Sequence, residues 1–158
     1  RYFQASYPLE RYHSLAAFGG NLTKLLASVR SNGAEPVLVT QASLYKPTMS
    51  AAEQESLWFG RVFMATRMGF ARYEYPDAES IRLALAAFNE ATRTLARDRN
   101  VTHVDGDAAI PKSLTMFEDD CHYTVEGART LADAAPREII SAGLIPAAAA
   151  RNGVVGVQ

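Results

Sequence analysis

Apolar side chains in the first third of the chain recur at steps of three and four residues. This spacing places them on one face of a helix and predicts an amphipathic helix over residues 14–31. The pair Asn32-Gly33 ends the pattern. A short apolar run rich in β-branched residues follows over residues 36–40, and such a run is typical of a strand buried on both faces of a parallel sheet.

The same order of helix and strand continues along the chain. A second helical pattern covers residues 77–98, and a second short strand covers residues 101–105. The last helix is predicted to begin after Thr124, whose hydroxyl can cap it. Because Pro136 falls inside this helix, we expect a kink or a break into two pieces there. Helices that alternate with strands in this way indicate an α/β domain with right-handed crossovers.

The segment between the first strand and the second helix, residues 41–76, is rich in aromatic residues and methionine. It begins at the carboxyl end of the strand, where open α/β sheets bind their ligands. Gln41, Tyr45 and Trp58 are therefore candidate substrate-binding residues in an acyl or aryl pocket. The alternative is that the aromatic side chains belong to the core, because aromatics and methionines at helical spacing more often do.

The composition changes this picture mainly by what it excludes. The chain has 158 residues, 48% hydrophobic and 21% charged, with a net charge of -1, which predicts one domain over residues 1–145 and a flexible tail over residues 146–158. No run of Lys or Arg indicates binding to nucleic acid or to an anionic membrane, and no apolar run reaches the ~18 residues of a transmembrane helix. A single cysteine, Cys121, excludes an internal disulfide and a cysteine-based zinc cluster. The composition indicates neither a compartment nor an oligomeric state.

The candidate chemistry lies just ahead of the last predicted helix, where Asp119 precedes His122 by three residues. Residues three apart on a helical turn are neighbours, whereas residues two apart point in different directions, so Asp119 is better placed than Asp120 to reach the imidazole. A carboxylate that accepts the Nδ1 proton fixes the tautomer, and Nε2 can then take a proton from a nucleophile. The alternative is a solvated pair of carboxylates beside a partly exposed histidine that caps the helix.

The block Asp119-x-x-His122, followed by Thr124 and Gly127, resembles the last conserved block of the SGNH/GDSL hydrolases. Further features that support the resemblance over roughly residues 12–145 are Phe18-x-x-Asn21-Leu22, the strand at residues 36–40 followed by Gln41, Asn89, and Val104-Asp105. The resemblance implies a three-layer α/β/α flavodoxin-like fold with a parallel sheet. It also implies that Asp119 orients His122, which acts as general base toward a serine and then as general acid toward the leaving alcohol, without a metal or another cofactor.

The chain departs from the family in its front half. The family's nucleophilic serine lies in a Gly-Asp-Ser block, and no such block occurs here. Gly19-Gly20-Asn21 imitates an oxyanion-hole block of the family, but it falls inside the first predicted helix. We therefore expect this chain to be the carboxyl-terminal part of an esterase, nearly inactive by itself. Its substrate would be a small-molecule ester such as a lipid, an acetylated sugar or a small acyl ester.

Two other interpretations of the same residues stay open. A catalytically inactive module of this fold would use the aromatic segment to bind a glycan or a partner protein. A metal-dependent hydrolase would use Asp119, Asp120 and His122, but a fourth ligand is not evident in the sequence. The thiol of Cys121 is a weak candidate nucleophile, because neighbouring carboxylates raise the pKa of a thiol and disfavour the thiolate.

Overall fold

A computed structural model describes residues 5–7, 12–57, 62–65 and 71–145, with side chains described over residues 12–57 and 76–145. The described residues form a mixed α/β structure with five helices and two small sheets. In chain order the elements are β1 (Ala5–Tyr7), α1 (Leu15–Ser31), β2 (Val37–Val39), α2 (Ala51–Ser56), β3 (Val62–Ala65), β4 (Ala71–Pro76), α3 (Ala78–Asp98), β5 (Thr102–Val104), α4 (Gly106–Ala109) and α5 (Val125–Ser141). The predicted tail, residues 146–158, lies outside the described residues.

The two sheets differ in the direction of their strands. Strands β2 and β5 run parallel, and Leu38 lies opposite His103 in their register. The other sheet has the order β1-β4-β3, in which β4 runs parallel to β1 and antiparallel to β3. The chain between β2 and β5 contains α2, β3, β4 and α3, so the parallel pair is joined by a long crossover that includes a helix, as parallel strands require.

Strand β2 has helices on both of its faces because its side chains alternate. Leu38 packs with Leu26 of α1 and Ala96 of α3 in one core cluster. The next residue, Val39, faces the opposite way and lies beside Gly106 at the start of α4, near Leu131 of α5. The parallel pair β2 and β5 is therefore covered by α1 and α3 on one face, whereas on the other face α4 and α5 cover it only in part and Val39 remains 47% exposed. The prediction that this strand is buried on both faces is met on the first face only.

Helices α1 and α3 form where the sequence predicts them, because their apolar residues face each other. The rings of Phe18 and Phe88 meet edge to face with centroids 5.1 Å apart. Helix α3 begins after Asp77, whose side chain accepts a hydrogen bond from the backbone N–H of Ser80 at 2.7 Å. None of the helices in the described part of the chain combines the length and apolar character that crossing a membrane requires.

The prediction that Pro136 divides the last helix is wrong. Helix α5 is a single helix over Val125–Ser141 with Pro136 inside it. The carbonyl oxygen of Ala132 has no helical donor, because Pro136 lacks a backbone N–H. Ala132 is exposed, so water can donate to this oxygen instead. At the next residue, the guanidinium of Arg137 donates to the carbonyl oxygen of Asp133 at 3.0 Å.

The prediction of two strands is also incomplete, because the described residues contain five. Strands β3 and β4 and helix α2 lie within the aromatic segment, residues 41–76, for which the sequence predicts a pocket or a part of the core. Strand β1 is three residues long, too short to show a period. Strand β4 does alternate, because the charged residues Arg72 and Glu74 alternate with Tyr73 and Tyr75, and this two-residue period is the signal that the sequence offered.

Candidate functional site

The candidate site is a short loop between α4 and α5 that closes on itself. Phe117 and Tyr123 form an isolated antiparallel bridge. Inside this bridge the backbone N–H of Glu118 donates to the carbonyl oxygen of His122 at 2.9 Å. We call residues 117–123 the dyad loop, and its two ends are held together by its own backbone.

The amino terminus of α5 is fastened to the base of the dyad loop. Thr124 caps the helix by accepting a hydrogen bond from the backbone N–H of Gly127 at 3.1 Å, and its hydroxyl donates to the carbonyl oxygen of Thr115 at 2.6 Å. A Cβ atom at Gly127 would collide with the carbonyl oxygen of Met116. Glycine at this position therefore allows the helix to approach the loop so closely.

Within the loop, Asp119 and His122 form a hydrogen-bonded pair, which we call the dyad. Oδ2 of Asp119 lies 2.7 Å from Nδ1 of His122, and Oδ1 of Asp119 accepts the backbone N–H groups of Cys121 and His122, each at 2.8 Å. The carboxylate is thus fixed by its own loop. The imidazole is the more accessible partner, with its side chain 61% exposed against 19% for Asp119.

The electrostatics of the dyad follow from this hydrogen bond. The bond to the Asp119 carboxylate, together with its negative charge, raises the pKa of His122 above its ordinary value. The carboxylates of Asp120 and Glu118 act in the same direction more weakly. The pair therefore favours the imidazolium form, which is the form that a general base reaches after it has taken a proton.

Asp120 faces away from the dyad and into the core, which the sequence did not reveal. It is 0% exposed, and its Oδ2 accepts a hydrogen bond from the hydroxyl of Tyr45 at 2.9 Å. Tyr45 itself is 2% exposed, and burial, aided by the charge of Asp120, raises the pKa of Tyr45 far above its usual range. The structure places Tyr45 beneath the dyad loop rather than at the surface. Because its side chain is buried, Tyr45 is not positioned for the predicted contact with a substrate.

Gln41, the second predicted substrate-binding residue, is held next to the dyad loop by α3. The side-chain amide of Asn89 accepts from the Gln41 backbone N–H and donates to the Gln41 carbonyl oxygen, both at 2.9 Å. Burial raises the pKa of Tyr123, while hydrogen bonds with the Ala42 backbone and the Gln41 side chain oppose this rise. Gln41 thus lies against the residue that follows His122. The third predicted residue, Trp58, lies outside the described residues.

A polar cluster fixes the carboxyl ends of β2 and β5 behind the dyad loop. Asp105 caps the short helix α4 and accepts two hydrogen bonds from the Arg93 guanidinium, each at 3.0 Å, and one from the Thr40 hydroxyl at 2.8 Å. The bond to Arg93 is the main cause that lowers the pKa of Asp105 to about 2. A Cβ atom at Gly106 would lie 2.6 Å from the Thr40 carbonyl oxygen. Glycine at this position therefore allows the chain after β5 to approach the chain after β2 this closely.

Two cavities lie away from the dyad. The larger, of about 340 Å³, lies between α3 and β5 and is lined by residues that include Arg93, Arg97 and His103. The smaller, of about 100 Å³, lies beside Tyr45. Among the described residues, the linings of these two cavities include neither Asp119 nor His122. The exposed side chain of His122 therefore faces solvent rather than either of these two cavities.

The same loop contains one group of potential metal ligands among the described residues: Asp119, Cys121 and His122, whose ligand atoms lie within 4.8 Å of one another. Asp120, which the metal interpretation requires, is buried against Tyr45 and is not part of this group. Burial and the neighbouring carboxylates raise the pKa of Cys121 to about 11, which disfavours the thiolate that would bind a cation or attack a substrate. A cation bound by both Asp119 Oδ2 and His122 Nδ1 would also have to replace the hydrogen bond between these two atoms.

The block Gly19-Gly20-Asn21 lies within α1, as the sequence predicts. Its backbone therefore has helical geometry, and an amide in the middle of a helix is directed along the helix toward a carbonyl rather than toward a ligand. The structure does not bring this block into the dyad loop.

Comparison with family models, with curated proteins and with solved structures finds no match to this chain. Function is therefore inferred from the geometry of the dyad loop and its neighbours.

Proposed function

We propose that this chain is the carboxyl-terminal part of an SGNH/GDSL-type ester hydrolase and that its dyad is the base half of a catalytic triad. The observation that carries the proposal is the 2.7 Å hydrogen bond between Asp119 Oδ2 and His122 Nδ1, in a loop that holds the carboxylate by two further backbone bonds. A carboxylate on Nδ1 is the partner that a histidine base needs, because it sets the tautomer and stabilises the imidazolium.

The position of the dyad in the fold supports the same function. The dyad loop directly precedes α5, and the backbone N–H of Leu44, in the segment after β2, donates to the Asp120 carbonyl oxygen at 3.0 Å. The loop therefore lies beside the carboxyl end of a parallel strand, where α/β proteins bind their ligands. We propose that the helices on both faces of β2 and β5 belong to the three-layer α/β/α flavodoxin-like fold of this family.

In the proposed reaction, Nε2 of His122 takes the proton of a serine hydroxyl while the serine oxygen attacks the acyl carbonyl carbon. The imidazolium, stabilised by Asp119, then gives that proton to the departing alcohol, leaving an acyl-serine. A water molecule next gives its proton to His122 and attacks the acyl carbon, and the serine recovers the proton from His122 when the acid leaves. The serine and the donors for the oxyanion would lie outside this sequence, and the substrate would be a small-molecule ester.

The experiment starts from the longest in-frame product that contains this sequence, obtained by reading the coding DNA upstream of Arg1. Hydrolysis of p-nitrophenyl acetate is compared between that product and its His122→Ala, Asp119→Asn and His13→Ala variants. We expect the first two variants to lose activity by about 10²-fold or more, because His122→Ala removes the general base and Asp119→Asn removes the carboxylate that orients it. His13 is an exposed histidine on another part of the chain, and its variant should retain full activity. Activity that is indifferent to His122 would refute the proposal.

A second function, a catalytically inactive module that binds a glycan or a partner protein, is favoured by one observation. The sequence contains no Gly-Asp-Ser block, so it supplies no nucleophile of the expected kind. The same expression experiment separates the two functions. An upstream Gly-Asp-Ser with activity that depends on His122 supports the hydrolase, whereas a longest product without it that binds a glycan and hydrolyses nothing supports the module.

A further inference from the structure

Asp120 is the most unusual residue of the dyad loop, because its carboxylate is fully buried. A carboxylate that leaves water loses its hydration, and this is unfavourable unless hydrogen bonds replace it. An apolar residue of similar size would fill the same space without that cost. The presence of an acid at this position therefore calls for an explanation beyond packing.

The described partners of Asp120 come from the segment that follows β2. The Tyr45 hydroxyl donates to Oδ2 at 2.9 Å, and the Leu44 backbone N–H donates to the Asp120 carbonyl oxygen at 3.0 Å. Tyr45 and Asp120 are 75 positions apart in the chain. Two neighbouring contacts, one through the side chain and one through the backbone, thus tie the dyad loop to the segment that follows β2.

The covalent chain transmits this attachment to the dyad. Asp119 and Asp120 share a peptide bond, and their side chains point in opposite directions, one to His122 and the other into the core. A displacement of Asp120 therefore moves the Asp119 carboxylate relative to the imidazole. Catalysis is sensitive to such movements, since a misplacement of about 1 Å can cost about 10²-fold in rate.

We propose that Tyr45 and Asp120 are positioning residues and that their buried hydrogen bond sets the orientation of the Asp119–His122 dyad. The catalytic part of this inference rests on the proposed function, whereas the geometric part concerns the dyad itself. Tyr45 then contributes from within the core, through Asp120, and not by contact with a substrate.

The test uses variants that change one atom or one charge at a time. Tyr45→Phe removes the hydroxyl and keeps the ring. Asp120→Asn keeps an acceptor oxygen of the same shape, whereas Asp120→Ala removes it. Thr92→Val is the matched control, because it removes another largely buried hydroxyl, which donates to the Phe88 carbonyl oxygen at 3.0 Å within α3.

Two quantities are measured for each variant of the longest in-frame product: the pKa of His122, from the titration of its imidazole protons by NMR, and the rate of p-nitrophenyl acetate hydrolysis. The His122→Ala spectrum identifies the His122 signals. Asp119, Asp120 and Glu118 are the charged groups that raise this pKa, and the hydrogen bond to Asp119 is the largest cause. The pKa of His122 therefore reports whether the dyad is formed.

We expect Tyr45→Phe to lower the pKa of His122 toward its ordinary value and to reduce the hydrolysis rate by about 10-fold to 10²-fold. Asp120→Asn should retain more activity than Asp120→Ala, because an acceptor for Tyr45 remains. Thr92→Val should change neither quantity. The inference is overturned if Tyr45→Phe lowers the melting temperature while the pKa of His122 and the rate stay at their wild-type values, which is the behaviour of a purely structural residue.

The two proposals fail in distinguishable ways. If the wild-type product does not hydrolyse the ester, the proposed function fails, and the NMR titration alone still decides whether Tyr45 positions the dyad. If the wild-type product is active and depends on His122, but Tyr45→Phe leaves the pKa of His122 unchanged, the proposed function stands and the positioning role is overturned.

Discussion

Replacement of Gly127 by alanine should destabilise the protein, although alanine is the better residue in a helix. Gly127 is the third residue of α5, and a Cβ atom there would meet three backbone atoms of Met116, the carbonyl oxygen being the nearest. Backbone atoms cannot turn aside as a flexible side chain can. Either the amino terminus of α5 or the base of the dyad loop must therefore move.

The magnitude follows from two opposing effects. Inserting a methyl group into a packed site costs typically 1–3 kcal/mol, and a backbone obstruction places this site in the upper part of that range, at about 3 kcal/mol. The greater helix propensity of alanine offsets about 1 kcal/mol of this cost. We expect Gly127→Ala to lower the free energy of unfolding by about 2 kcal/mol.

Gly20 provides a control in which the same substitution has the opposite sign. It lies inside α1, and a Cβ atom there would meet nothing within 4 Å. Gly20→Ala should therefore raise the free energy of unfolding by about 0.5–1 kcal/mol. Urea denaturation of both variants, followed by circular dichroism, gives the two values from the shift in the transition midpoint at constant slope. A Gly127→Ala variant at least as stable as the wild type would refute the packing argument.

Three further predictions concern the cap and the ion pairs. Thr124→Ala should lower the free energy of unfolding by about 1 kcal/mol in urea denaturation, because α5 loses its cap, whereas Thr124→Ser should remain near the wild type. Asp119 raises the folded-state pKa of His122, so the stabilisation from this pair is complete below the ordinary histidine pKa of about 6.5 and is lost as the pH rises through the raised value. The free energies of unfolding of the wild type and of Asp119→Asn should therefore converge as the pH rises through that range. The pKa of Asp105 is lowered to about 2, chiefly by Arg93, so the stabilisation from their pair is present above the unfolded value of about 3.9 and is lost as the pH falls toward 2. The difference in stability between the wild type and Arg93→Ala should shrink over that acid range, and a constant difference would contradict the linkage.

Local sequence patterns predicted the elements whose structure depends on local spacing. Helices α1 and α3 begin and end within one residue of their predicted bounds, because their apolar positions repeat with the helical period. The contact between Asp119 and His122 is likewise local, since it joins residues three apart in one loop. Their spacing alone was enough to prefer Asp119 over Asp120 as the partner of the imidazole.

Contacts between distant parts of the chain were not accessible from the sequence. The bond between Tyr45 and Asp120 joins residues 75 apart, and nothing in the neighbourhood of either residue indicates the other. Strand β1 likewise pairs with a distant part of the chain, with Ala5 opposite Glu74 of β4. A single sequence records which residues repeat along an element, but it does not record which elements meet.

The clamp of Asn89 on Gln41 has a consequence for how the protein tolerates substitution. One amide side chain supplies both the donor and the acceptor that the Gln41 backbone needs, and an aspartate in its place would set a carboxylate oxygen against the Gln41 carbonyl oxygen. The segment beside the dyad loop is therefore sensitive to a helix residue 48 positions further along the chain. A mutational scan for altered activity should find an intolerant position on the inner face of α3, far in sequence from the reacting atoms.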